Sequence, residues 1–229
     1  MEKKLNPFEE GKVLLIDKPL RWTSFDVVRK IRYLTRTRKV GHAGTLDPLA
    51  SGLLIVCTGR FTKKINEYMA KEKEYTGTIT LGSTTPTYDL ESEPTNYKPY
   101  EHLTENDLIG ATTPFIGTIS QVPPIHSAIK QEGKRVYEMA RRGEEVKMQA
   151  REITISAFEV LKIELPVVHF RVVCSTGTYI RSLANDYGNA LGVGGHLSGL
   201  CRTRIGEFLL SDAQTIQQFE EQVKRDQKG

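Results

Sequence analysis

The residues best suited to chemistry lie in one short segment, Gly41-His42-Ala43-Gly44-Thr45-Leu46-Asp47-Pro48-Leu49-Ala50-Ser51-Gly52. Three glycines and a proline predict a loop over this stretch. Glycine permits tight turns and close approach of another chain, and Pro48 restricts Asp47 to extended conformations. A loop aspartate between two apolar runs has the stiff support that a reacting group needs. At a typical pKa of about 3.9 its carboxylate is ionised at neutral pH and can attack carbon or stabilise positive charge. Aspartate before proline also starts turns, so the residues alone leave both roles open. If buried, the carboxylate needs a cation to stay charged. The segment Ser175-Thr176-Gly177-Thr178-Tyr179-Ile180-Arg181 offers one. It predicts a strand-to-helix turn, and Arg181 at a helix start works against the helix dipole, which hints at a purpose beyond surface charge. Tyr75 and Tyr179 present rings on which a nucleobase can stack, and His42 can stack or donate a hydrogen bond.

Other chemistries lack their signatures. There is no phosphate-cradling glycine loop, no His/Asp/Glu metal spacing and no nucleophile elbow; Gly192-Val193-Gly194-Gly195 follows no convincing strand. Cys57, Cys174 and Cys201 are odd in number and far apart. They read as reduced, mostly buried thiols rather than a zinc site or a disulfide framework.

The elements that must position these residues follow from periodicity. Val13–Ile16 and Leu53–Cys57 are short apolar runs that predict buried strands. Thr23, with Asp26 three residues on, predicts a capped helix whose apolar face is Val27, Val28, Ile31 and Leu34. Residues 62–69 predict a short helix, and Glu74–Leu81 alternates as a half-buried strand should. The acidic stretch 84–102 reads as a long connection, followed by a helix capped by Thr104 and Asp107. Further strands are expected at 115–119, 153–163, 167–175 and 197–208, and further helices at 137–142 and 180–187. This order predicts an α+β fold with a mixed, largely antiparallel sheet.

Composition bounds the rest. Of 229 residues, 38% are hydrophobic and 26% charged, as in globular domains. No apolar run reaches the roughly 18 residues that span a bilayer, and the first residues predict no secretory signal. The net charge is only +4, but Arg21, Arg29, Lys30, Arg32, Arg36, Arg38 and Lys39 face a single acid, Asp26, between positions 21 and 39. A second basic cluster runs from Lys130 through Lys134 and Arg141 to Arg142. Such segments suit a polyanion held on one face, though solvated helix faces carry similar runs.

Six segments in order resemble the TruB family of tRNA pseudouridine synthases. They are residues 11–19 with Thr23-Ser24, the Gly41–Leu54 segment, Glu74-Tyr75 through Tyr88-Asp89, Gln121–Lys130 with Gly133 and Tyr137, Gly177–Leu183, and His196–Gly206. The resemblance spans about residues 11–210. It implies a pseudouridine-synthase fold, a mixed sheet flanked by helices with a central catalytic cleft. It implies one catalytic domain over residues 1–229, ending in a short helix or tail at 212–229 without the extra C-terminal RNA-binding domain that many relatives carry. The implied reaction is isomerisation of the T-loop uridine, position 55, of elongator tRNAs in the cytoplasm. The implied enzyme acts as a monomer, with no cofactor, metal or membrane. Asp47 matches the catalytic aspartate, Arg181 its ion-pair partner and Tyr75 the tyrosine against the target base. His42, Tyr179 and Leu200 match pocket positions. Arg36, Arg38, Lys39, Lys130, Lys134 and Arg141 are then candidates for the RNA backbone. Two positions depart from the family pattern: Arg21 stands where glycine is expected, altering the turn, and Cys201 where arginine is frequent. A tRNA-binding module without catalysis and a nucleosidase for small substrates are the competing classes. The Asp47, Arg181 and Tyr75 set argues against the first, and the basic segments against the second.

Overall fold

The computed structural model describes residues 6–125 and 148–226, with the backbone of 130–131 and 134–135. The helix expected at 137–142, and Arg141, lie outside the described residues, as do the side chains of Lys130 and Lys134. The protein is α+β, with a mostly antiparallel sheet flanked by helices. In chain order the elements are α1 (Pro7–Glu10), β1 (Val13–Lys18), α2 (Ser24–Thr35), β2 (Val40–His42), β3 (Ala50–Thr58), α3 (Ile65–Ala70) and β4 (Lys73–Leu81). Then come α4 (Glu105–Gly110), β5 (Gly117–Gln121), β6 (Lys130–Gln131), β7 (Lys134–Arg135), β8 (Arg151–Glu164) and β9 (Val167–Cys174). The chain closes with α5 (Ile180–Ala190), β10 (Gly195–Ile205), β11 (Phe208–Leu209), β12 (Gln214–Thr215) and α6 (Ile216–Asp226).

Two compact units divide these elements. The first comprises residues up to Tyr75 together with Leu200 onward, and the second is Thr76–Gly199. The chain leaves the first unit within β4 and re-enters it within β10.

In the first unit β3 pairs antiparallel with β1 and β2, and parallel with β10 through Leu200↔Ala50, Cys201↔Ser51 and Arg202↔Gly52. β12 adds to β1 in parallel. Side chains alternate across this sheet. On one face Ile16, Leu54 and Val56 meet Val27, Val28, Ile31 and Leu34 of α2 and Phe219 and Val223 of α6. On the other, Leu53, Ile55 and Cys57 meet Ala43 and Ile205. Both faces are covered, which is why β1 and β3 read as continuous apolar runs. α2 starts as expected: Thr23 and Asp26 form a reciprocal capping box.

In the second unit β8 pairs antiparallel with β5 and β9. Phe158 of β8 meets Phe170 of β9 and Tyr187 of α5 edge to face, at 6.0 and 5.5 Å between ring centroids. The Tyr187 hydroxyl donates to the Leu108 carbonyl of α4 at 2.7 Å.

Several element boundaries differ from the sequence reading. The Gly41–Gly52 loop is shorter than expected, because Val40–His42 pairs with β3 and β3 itself begins at Ala50. Gly52 therefore lies within β3, at φ 101°, where a Cβ would stand 2.4 Å from the Arg202 carbonyl oxygen. Residues 59–64 form a 3-10 turn ahead of α3. Pro114 sits in another 3-10 turn, so the strand expected at 115–119 begins at Gly117. The cysteines are free; Cys57 and Cys174 are buried as expected, whereas Cys201 is half-buried.

Candidate active site

Asp47 lies in the seven-residue loop 43–49 between β2 and β3, half-buried. It opens a turn in which the Ala50 N–H donates to its carbonyl at 3.0 Å. The turn-forming role that the sequence allowed is thus present, together with an unusual degree of external support. Ser24, at the first position of α2 and 2% exposed, accepts from the Leu46 N–H at 2.9 Å and donates to the Leu46 carbonyl at 3.1 Å. The Arg21 N–H donates to the Pro48 carbonyl at 2.7 Å. Arg21 adopts φ 67°, the left-handed region that glycine favours, so the expected glycine is explained and the turn survives its replacement. Arg202, 1% exposed, donates from Nε to the Leu53 carbonyl at 2.8 Å and from Nη2 to the Gly44 carbonyl at 3.1 Å.

Lys18, at the end of β1, is fully buried and donates to the carbonyls of Pro19 at 3.0 Å and Trp22 at 2.6 Å. Burial pulls its pKa down to about 8; the Asp47 charge opposes that fall and the Arg202 charge adds to it. His42, half-buried at the end of β2, has its pKa lowered by burial and then by Arg202, partly offset by the Gly44 backbone. Its Nδ1 is buried and makes no hydrogen bond among the described residues. Leu200 pairs with Ala50, the first residue after the loop, and its carbonyl accepts from the Ser51 hydroxyl at 3.5 Å. Tyr75, 8% exposed, lies on the buried face of β4. The first unit thus places His42 on the strand before the loop, Asp47 in the loop and Leu200 on β10, the strand paired with β3 at the first residue after the loop.

The second unit holds Tyr179 and Arg181. Gln121 fixes the Tyr179 backbone twice: its side chain accepts from the Tyr179 N–H at 2.8 Å and donates to the Tyr179 carbonyl at 3.1 Å. Arg181 is 5% exposed, which removes the ordinary surface-arginine reading. Its Nε stands 3.8 Å from Asp89 Oδ2, and its Nη1 donates to the Thr87 carbonyl at 3.4 Å. Asp89 is itself 4% exposed.

Sequence reasoning assigned no role to Asp89, Lys18, Ser24 or Arg202, although each falls within one of the six segments. Alternation contained a signal for Lys18, which shares the parity of buried Ile16 along β1. Asp89 carried none, being one acid in an acidic loop. Arg36, Arg38 and Lys39 are exposed, as binding to a backbone of phosphates requires. An open cavity of about 520 Å³ is lined by Arg21, Trp22, Asp26, Arg29, Lys30 and Tyr33, a mixture of cations and rings beside the turn that holds Pro48.

Known structures with this fold include a crystal structure of a Cbf5–Nop10–Gar1 complex, with a TM-score of 0.72, 32% identity, 93% of this chain covered and 54% of that one. An H/ACA RNP bound to a substrate RNA containing 2′-deoxyuridine gives 0.72, 30%, 96% and 56%. The chain spans about half the length of those solved chains. The family models that match this chain give the class, pseudouridylate synthase. The family model described as the TruB family pseudouridylate synthase N-terminal domain matches residues 32–180, and that of the tRNA pseudouridylate synthase B C-terminal domain matches 181–228. The chain belongs to the TruB family. A tRNA pseudouridine synthase B of Flavobacterium johnsoniae is 52% identical over 222 residues, covering 94% of this chain and 97% of that one. Its counterpart in Parabacteroides distasonis is 54% identical over 209 residues, 89% of each.

Proposed function

We propose that the protein is a tRNA pseudouridine synthase that converts the T-loop uridine at position 55 into pseudouridine, acting as a monomer in the cytoplasm. The observation that carries the reading is the loop around Asp47, pinned at Gly44, Leu46 and Pro48 by donors and acceptors of the surrounding fold. A loop immobilised at three points around one aspartate suits a reaction that needs a carboxylate at a fixed place.

The isomerisation breaks the N1–C1′ bond, turns the uracil and forms a C5–C1′ bond; the proton on C5 leaves and N1 gains one. Nothing is oxidised or imported. Asp47 serves as the carboxylate, whether by attack on C1′ as in retaining glycosidases, by addition to C6 of the ring, or by removal of the 2′ proton. Each route requires the base to leave its stack, which costs a few kcal/mol. In this reading Tyr75 packs against the extruded base, and His42, Tyr179 and Leu200 line its pocket. Arg181 supplies the cation that keeps the reacting carboxylate charged. Its own carboxylate neighbour is Asp89, whose Oδ2 stands 3.8 Å from the Arg181 Nε. The lowered pKa of His42 keeps its ring neutral at pH 7, so it can stack or share a hydrogen bond without carrying charge.

Asp47→Asn tests the reading, because the amide keeps the shape but cannot act as nucleophile or base. A tRNA transcript incubated with each protein is mapped for pseudouridine by carbodiimide-dependent primer extension. Turnover should vanish while the Kd for tRNA changes by less than about threefold. Asp47→Asn activity within about tenfold of wild type would refute the role of Asp47. Free uridine should not be a substrate, which separates this enzyme from a nucleosidase.

A further inference from the structure

Among the side chains that hold the Asp47 loop, Arg202 alone brings a full charge. The guanidinium is 1% exposed. Among the described residues it pairs with no carboxylate, whereas Arg29, Arg171, Arg181 and Arg204 all do. A buried cation without a paired anion is costly, so a chain that retains one normally uses it. Its two hydrogen bonds go to carbonyls on opposite sides of the loop, Gly44 before Asp47 and Leu53 after it. Gly44 sits at φ 94°, and a Cβ on it would meet only Arg202, at 3.6 Å from Nη1. The charge is also felt locally, since it disfavours protonation of both Lys18 and His42. Two buried cations, Lys18 and Arg202, thus lie close enough to repel one another, and Asp47 is the acid that acts most strongly on Lys18.

We propose that Arg202 is a positioning residue for Asp47. By fixing the Gly44 and Leu53 carbonyls it sets the path of the loop, and its charge joins that of Lys18 in making the loop a favourable place for an ionised carboxylate. The inference rests on the reading that Asp47 is the reacting group.

The test compares Arg202→Met, Arg202→Lys and Gly44→Ala with Asp47→Asn. The single-turnover rate at saturating tRNA transcript, the Kd for the same transcript and the thermal midpoint are measured for each. Loss of loop position costs rate rather than binding, so Arg202→Met should lower the saturating rate about a hundredfold with Kd within about threefold. Arg202→Lys should recover roughly tenfold of that loss, because an ammonium keeps the charge but cannot span both carbonyls. Gly44→Ala strains the backbone at φ 94° that presents the same carbonyl to Arg202. Its effect on the rate should be smaller in the Arg202→Lys background than in wild type, because the two changes act on one interaction. That cycle decides the matter if Arg202→Met does not fold. A saturating rate within about threefold of wild type for Arg202→Lys and Arg202→Met, with Asp47→Asn inactive, would overturn the proposal and leave the catalytic reading intact. So would rate losses that track only the folded fraction or the Kd, or strictly additive effects of Gly44→Ala and Arg202→Lys. An active Asp47→Asn would instead overturn the reading on which the proposal stands.

Discussion

Lys18 shows at the scale of one residue how the site trades stability for chemistry. A lysine with a folded pKa of about 8 and an ordinary value of 10.5 holds its proton less tightly when folded. Between those two pH values the unfolded chain carries more protons, so stability rises with pH, by on the order of 3 kcal/mol across the whole window. Below about pH 8 both states are protonated, so stability no longer changes with this group and its destabilisation is fully present. Below that pH the fold keeps a charged ammonium in its interior at a cost, held by the carbonyls of Pro19 and Trp22. Lys18→Met should remove this part of the pH dependence. Urea denaturation at pH 7.5 and 9.5 should show a larger gain in stability for wild type than for Lys18→Met. Equal gains in the two proteins would mean that Lys18 does not titrate in that range. The acid and the rings proposed for the site stand out in the sequence because glycine, proline and the six ordered motifs mark them. The buried cations do not, since a lysine or arginine in sequence looks the same whether it faces solvent or carbonyl oxygens.

At the scale of the element, α2 links helix capping to loop position. Thr23 forms the capping box, and the next residue, Ser24, holds Leu46 through both its N–H and its carbonyl. These neighbours should separate in their effects. Thr23→Ala removes a cap at an exposed helix end and should cost about 1 kcal/mol of stability, with the saturating rate near wild type. Ser24→Ala leaves a buried N–H and a buried carbonyl unsatisfied, which costs roughly 1–3 kcal/mol, and frees the loop next to Asp47. Its saturating rate should fall while that of Thr23→Ala does not. Equal rates for the two variants, measured well below their unfolding midpoints, would show that the Leu46 hydrogen bonds serve stability alone. The helix itself was readable from its cap and its apolar stripe, all of which is buried as expected. The short strand Val40–His42 was not, because three residues flanked by loop glycine carry no alternation, and only pairing with β3 makes them a strand.

At the scale of the whole molecule, the division into two units left no trace in composition. The first unit is built from two separate stretches, and the chain crosses between units inside β4 and β10, where strand-forming residues are needed and no linker can appear. Charge is the property of the whole that sequence does convey. A net charge of +4 is too small to bind a polyanion by itself, so placement must supply the attraction. Arg36, Arg38 and Lys39 follow α2 directly and are all exposed, and the backbone of Lys39 is fixed by the Gly59 N–H donating to its carbonyl at 2.8 Å. Cations on a rigid support lose less freedom on binding than cations on a mobile one. Arg36 caps α2 at φ 53°, so asparagine, which tolerates that conformation, removes its charge without disturbing the helix end. The combined variant Arg36→Asn, Arg38→Ala and Lys39→Ala should therefore bind tRNA more weakly. It should also lower the slope of log affinity against log salt by roughly 2 to 3, about one for each phosphate no longer neutralised. Its saturating single-turnover rate should stay near wild type, because these side chains pull on phosphates rather than on the reacting base. Titrations of the transcript at several salt concentrations measure the slope. A slope equal to that of wild type would place this basic run outside the RNA interface, whatever its effect on affinity at one salt concentration.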